Sequence, residues 1–315
     1  MTGQLNVAQG HLFGTVFEAG LYGIYLVLFI ACLYIFRTSS RRYTRSNKII
    51  MGTIWLMFCI STAHLGGTIQ SLEAGFFDVR PATPESYFND KSAWLNLMNK
   101  SLYGVNIIVG DSLLIYRLHV MYHSNHWIII PPIMTVLATI VTWGLLVWEF
   151  SRLAPGETAF AESVKKLAPA AFSLSLATNL IITALIVHRI WQAERRLRKA
   201  IQEADVSFYR ALLANTIESC ILYPIALVIT LGLYGTGNNA QDVVTGPMTQ
   251  IISITPTLLW MQVRLGFSRY DAAISAEANT LIRPPGNNAA IVLVTRETRT
   301  DTCSARSKPK DPEEI

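Results

Sequence analysis

Long apolar stretches alternate with short polar gaps along this chain. An α-helix needs about 20 predominantly apolar residues to cross roughly 30 Å of hydrocarbon. Seven such spans are predicted, at about 16–36, 49–70, 99–120, 128–148, 167–187, 211–234 and 247–263. The fourth opens on Pro131-Pro132, which a first helical turn tolerates because its amides have no helical partner. The seventh is the least apolar, being polar in its first half. The fold class this predicts is all-α: a polytopic membrane protein, a bundle of seven transmembrane helices over residues 16–266. An extracellular segment, 1–15, is expected before it. A cytosolic, largely disordered tail, 267–315, is expected after it, too rich in Thr, Ser and charge to build a core.

Charge orients this arrangement. Arg37, Arg41, Arg42, Arg45 and Lys48 follow the first span without an acid among them, whereas the gap at 71–98 carries Glu73, Asp78, Glu85 and Asp90. With the N-terminus outside, 20 of the 26 Lys and Arg residues fall on the cytosolic side and 6 outside; without the tail the ratio is still 12 to 6. Basic residues concentrate in cytoplasmic loops, so the N-terminus is predicted outside and the C-terminus inside. Composition agrees: 51% of residues are hydrophobic and 15% charged, against about a quarter charged in soluble domains, and mean hydropathy is +0.35. The net charge of +5 belongs to residues flanking spans, so a lipid bilayer is the expected partner and nucleic acid is not. Cys32, Cys59 and Cys220 fall in spans and Cys303 in the tail, so no extracellular disulfide is expected. No Lys or Arg precedes the first span, which is expected to direct insertion itself.

A charge within the hydrocarbon costs roughly 2.5–3.5 kcal/mol on insertion scales, so polar residues there face the bundle interior and can mark function. Asp111 in span three and Glu218 in span six sit at similar depth on the cytoplasmic side of centre. Each is a candidate ligand, ion or proton site or a switch; each can equally fasten helices by hydrogen bonding. Asn179 forms a stripe with Ser175 and Thr183, and Asn215 shares a face with Glu218 and Ser219; such stripes also serve simply to pack helices. His64 stands alone in span two, a ligand or switch candidate that is expected rather to be a hydrogen-bonded packing residue. His119, His123 and His126 would share a face if span three continued as a helix, but no acid or cysteine completes a zinc site, and neither metal nor cofactor is expected. Pro224 and Pro256 are expected to bend spans six and seven. On the cytosolic side, Arg117, Arg195, Arg196, Arg198, Lys199 and Arg264 are candidates to face a partner protein. Span seven has no lysine for a retinal Schiff base, and no hydrolase, zinc-protease or phosphate-cradling motif occurs.

Four stretches carry a resemblance: Asp111-Ser-Leu-Leu-Ile-Tyr-Arg117; Ala177-Thr-Asn179-Leu with Arg189-Ile-Trp191; Ile217-Glu218-Ser219; and Ile254-Thr-Pro256-Thr-Leu with Arg264-Leu-Gly266. Over roughly residues 15–266 the chain resembles a group of uncharacterised seven-transmembrane proteins of mushroom-forming (basidiomycete) fungi. The resemblance implies a receptor-like membrane protein and brings no ligand or catalytic residue. The expected function is a sensor, in the plasma membrane, of an unknown small extracellular ligand, signalling to a cytosolic protein. The alternatives are a transporter or channel using Asp111 and Glu218, and a lipid-modifying membrane enzyme.

Overall fold

A computed structural model describes residues 6–38, 45–78, 83–89, 93–122, 126–152, 162–198, 203–236 and 240–281. Among them every regular element is helical. Helix α1 is Val7–Thr38, α2 Arg45–Glu73, α3 Pro84–Asn89, α4 Trp94–Met121, α5 Ile130–Arg152, α6 Glu162–Arg198, α7 Glu203–Gly235 and α8 Gln241–Leu281. A π-helical turn, Ala74–Asp78, continues α2, and a 3-10 turn, His126–Ile128, precedes α5. The chain divides into two compact units, 1–272 with the bundle and 273–315, whose described part is the end of α8.

Each predicted span lies in one of the long helices, the fourth starting two residues late at Ile130. The helices outrun the apolar spans. The segment assigned to 1–15 is helical from Val7, and the last helix passes residue 266 and ends at Leu281. Five described stretches are long and apolar enough to cross a membrane: Val7–Thr38, Ser46–Phe77, Trp94–Met121, Ile130–Arg152 and Lys166–Gln192. Cys220–Gly235 in α7 is apolar but shorter. The chain is thus a helical protein with the apolar helices of an integral membrane protein.

Helix α8 falls outside that group for a physical reason. From Pro247 to Thr257 all but one of its residues are buried, with Thr249, Gln250, Ser253 and Thr257 fully enclosed. A helix surrounded by protein meets no lipid, so its side chains need partners rather than apolarity. The outer surface has the opposite character. Val16, Phe17 and Val27 of α1, Met134 and Val141 of α5 and Ile225, Val228 and Ile229 of α7 all stand exposed. Exposed Trp94 and Trp148 sit at one end of the bundle, and Trp127 and Trp191 at the other, as in the aromatic belts of two membrane interfaces.

Neighbouring helices pack α1 on α2, α2 on α4, α4 on α5 and α6, α5 on α6, and α6 on α7. The core contains an aromatic trio, with Tyr103 5.3 Å from Trp143 and 6.4 Å from Phe172, ring centre to ring centre. The indole of Trp143 lies directly over Gly104, where any Cβ would overlap it. At Gly14, α1 approaches α8 so closely that a Cβ would stand 2.7 Å from the carbonyl oxygen of Asp242. The gap at 71–98 folds back as α3, which packs on α1. There Phe88 is buried and stacks on His11 with ring centres 4.8 Å apart, and Asn6 donates to Glu85.

Candidate functional site

The most concentrated buried polar chemistry lies between α1, α2, α4 and α8. Glu18 of α1 is fully buried. One of its oxygens, Oε1, is 2.6 Å from His64 Nδ1 on α2 and accepts from Gln250 Nε2 on α8 at 3.2 Å. The same Gln250 amide donates to the Ser61 carbonyl at 3.3 Å, and these two acceptors fix the amide's orientation. Lower along α8, the hydroxyls of Ser61 and Ser253 are 2.8 Å apart. Asn106 of α4 donates to Ser253 Oγ and to the Thr249 carbonyl, each at 2.9 Å. Tyr25 of α1 lies beside Ser253 and Thr257 beneath them.

The tautomer of His64 follows from its second nitrogen. Thr245, Thr255 and Thr257 return their hydroxyls to the carbonyl four residues back, the ordinary habit of threonine in a helix. Thr249 instead turns its hydroxyl to His64 Nε2 at 3.3 Å. With Nδ1–H donated to Glu18, Nε2 is left to accept from Thr249. Three atoms remain unsatisfied: Glu18 Oε2, Gln250 Oε1 and the Tyr25 hydroxyl are buried and have no hydrogen-bond partner. Glu18 Oε2 rests against Gly246, where a Cβ would lie 3.2 Å away. One turn nearer the end of α8, Asp242 is 3.7 Å from His11 of α1, beside the Phe88 stack.

The residues singled out from sequence are distributed differently. Asp111 is buried on α4, with Oδ2 unpartnered and Tyr103 and Tyr223 within electrostatic reach. Asn179 is buried on α6 with Oδ1 unpartnered, one turn from Ser175, whose hydroxyl is 2.7 Å from that of Tyr223. Glu218 is exposed on α7, so the two acids do not share a buried site. Arg117 is half-buried, within reach of Cys32 on α1 and Cys220 on α7. Helix α4 ends at Met121, so His119, His123 and His126 share no helical face; His123 and the His126 side chain lie outside the described residues. Among the described residues no three His, Cys, Asp or Glu side chains cluster to hold a metal ion.

Arg195 stacks over Trp191 at 3.6 Å, and Arg264 lies 5.5 Å from the Trp260 ring. Lys199 and the side chains of Arg196, Arg198 and Asn215 lie outside the described residues. Pro224 and Pro256 are buried within continuous helices. His64, expected to be a hydrogen-bonded packing residue, is bonded on both nitrogens. The sequence reading passed over Glu18, the residue that organises the network. The signal was present, since Glu18 is the only Asp, Glu, Lys or Arg before Arg37 and lies within the first predicted span. Asn106 and Gln250, each within a predicted span, were equally visible. No known family model matches the chain, and no curated protein matches it.

Proposed function

We propose that the chain is a seven-span protein of the plasma membrane, its N-terminus outside and C-terminus in the cytosol, and that it works as a receptor-like sensor. In this reading α7 and α8 are spans six and seven, α8 being held by protein rather than lipid. A small extracellular ligand biases the packing of α1, α2, α4 and α8, and the change is read by a cytosolic protein.

The observation that carries the reading is the separation of two features along the bundle. The buried network centres on Glu18, eleven residues into α1, beneath α3. The other end holds a helical projection. There α6 continues to Arg198, eleven residues past its apolar span, and α7 begins at Glu203. The projection is anchored where Arg189 Nε donates to the Met121 carbonyl at 3.2 Å and Tyr122 donates to the Leu185 carbonyl at 3.0 Å. Asn106 lies fifteen residues before Met121 on α4, about 22 Å at the helical rise. Buried hydrogen-bonded elements with two packings can link such ends. Along the sequence, Arg195, Arg196, Arg198 and Lys199 form a basic run at the end of α6, a charge suited to an acidic protein partner. A transporter that couples Asp111 to Glu218 finds no support, because only Asp111 is buried.

The test is pull-down of G-protein α subunits by the protein in nanodiscs. Replacing Arg195, Arg196, Arg198 and Lys199 together by Ala should reduce capture at least about tenfold, the loss of roughly 1.4 kcal/mol or more of steering and contact. No capture by the unaltered chain at any salt concentration removes this reading.

A further inference from the structure

The pocket around Glu18 is short of hydrogen-bond donors. The protons next to Glu18 are assigned: His64 Nδ1–H goes to Glu18 Oε1, the Gln250 amide to Glu18 Oε1 and the Ser61 carbonyl, the Thr249 hydroxyl to His64, and the Asn106 amide to Thr249 and Ser253, while the unpartnered Tyr25 hydroxyl lies about two turns away along α1. Two buried oxygens, Glu18 Oε2 and Gln250 Oε1, still face no donor. Each belongs to a group joined to the other by the 3.2 Å hydrogen bond between Gln250 Nε2 and Glu18 Oε1, so the two stand on neighbouring groups where α1 meets α8. Burying a polar atom without a partner costs about 1–3 kcal/mol, and more for a carboxylate. Gly246 keeps the α8 wall bare beside Oε2, since a side chain there would begin 3.2 Å from it.

We propose that Glu18 and Gln250 bind a monovalent cation, either an alkali ion or the ammonium group of a small organic molecule. The donor set selects this class. It offers a carboxylate oxygen and a neutral amide oxygen, hard ligands suited to a hard cation or to N–H donors. A single carboxylate matches a single positive charge, and the absence of a cluster of three His, Cys, Asp or Glu among the described residues does not favour a transition metal. The guest would tie α1 to α8 at the level of the Glu18–His64 contact, about two helical turns beneath the His11–Asp242 pair. This site does not depend on the signalling reading.

Thermal unfolding of the full chain in detergent tests it, with sodium, potassium or methylammonium chloride replacing N-methylglucamine chloride at constant ionic strength and pH. At least one of the three should raise the unfolding temperature saturably, by about 4 °C or more when well above its Kd. A response to sodium or potassium identifies an inorganic ion, and a response to methylammonium alone identifies an ammonium ligand. Glu18→Gln keeps the shape of the side chain and supplies through its amide the donors that the pocket lacks. It should fold and lose the response, while Glu73→Gln, exposed at the end of α2, should keep it. Gln250→Met removes one ligand oxygen and should raise the half-saturating concentration at least tenfold. If no cation shifts the unfolding temperature, or if Glu18→Gln responds as the unaltered chain does, the proposal is overturned; an unchanged half-saturation in Gln250→Met overturns it equally.

Discussion

Replacing His64 by leucine is expected to destabilise the bundle by about 3 kcal/mol, measured as the shift of the thermal unfolding midpoint in detergent. The magnitude comes from what the substitution leaves behind. Glu18 is fully buried and its shortest contact is the 2.6 Å hydrogen bond to His64. Without the imidazole its carboxylate keeps only the 3.2 Å donation from Gln250. Taking the donor away from a buried carboxylate costs more than the roughly 1–3 kcal/mol of an unpaired neutral group, and the surviving Gln250 contact holds this case at about 3 kcal/mol. Neutral hydrogen bonds between membrane helices contribute far less, on average about 0.6 kcal/mol. Ser61→Ala, which removes the hydroxyl contact to Ser253, is therefore expected to have an effect several times smaller. The double substitution Glu18→Leu with His64→Leu should recover most of the loss, because two apolar side chains of similar bulk leave no charge stranded. Equal losses in His64→Leu and Ser61→Ala would show that Glu18 is not held as an ion in this pocket.

The second large effect is steric. Gly104→Leu should abolish the folded protein or reduce its detergent-stable yield at least about tenfold, and Gly104→Ala should cost about 1–3 kcal/mol. Any Cβ at Gly104 overlaps the Trp143 indole, a rigid ring buried between Tyr103 and Phe172 with no free volume to receive it. The same Ala substitution at Gly144, one residue from that Trp on the same helix, meets open space within 4 Å and should be close to neutral. Gly104→Ala combined with Trp143→Leu should regain part of the lost stability, since the smaller side chain vacates the overlap. Size-exclusion profiles and unfolding midpoints of the four variants separate these outcomes.

Both effects depend on contacts between residues far apart in the chain, and this marks how far sequence reading reaches here. The helices were legible. Apolar run length predicts the core of α1, α2, α4, α5, α6 and α7, and proline in the first turn correctly located the opening of α5. The extent of the helices was not legible, because the ends of α6, α7 and α8 are polar and carry no apolar run to count. The candidate site was half legible. His64 and Asp111 stand out as polar residues in apolar runs, and both are buried. Glu218 stands out for the same reason yet is exposed, because depth along a helix says nothing about which face meets the bundle.

Lipid-facing character is a property each residue carries alone, so counting apolar runs and basic flanks is enough to place the chain among helical proteins with membrane-spanning segments and to orient an expectation about its sides. A buried polar network is a property of pairs. Glu18 meets Gln250 across 232 residues and Thr249 meets His64 across 185. No local pattern states that α8 is enclosed between Pro247 and Thr257, and the polarity of that stretch, which along the chain argues against a span, is what suits it to the interior. Packing therefore chose Glu18 over Glu218 as the buried acid of the network, and made a helix with a polar, enclosed stretch the one that joins α1, α2 and α4.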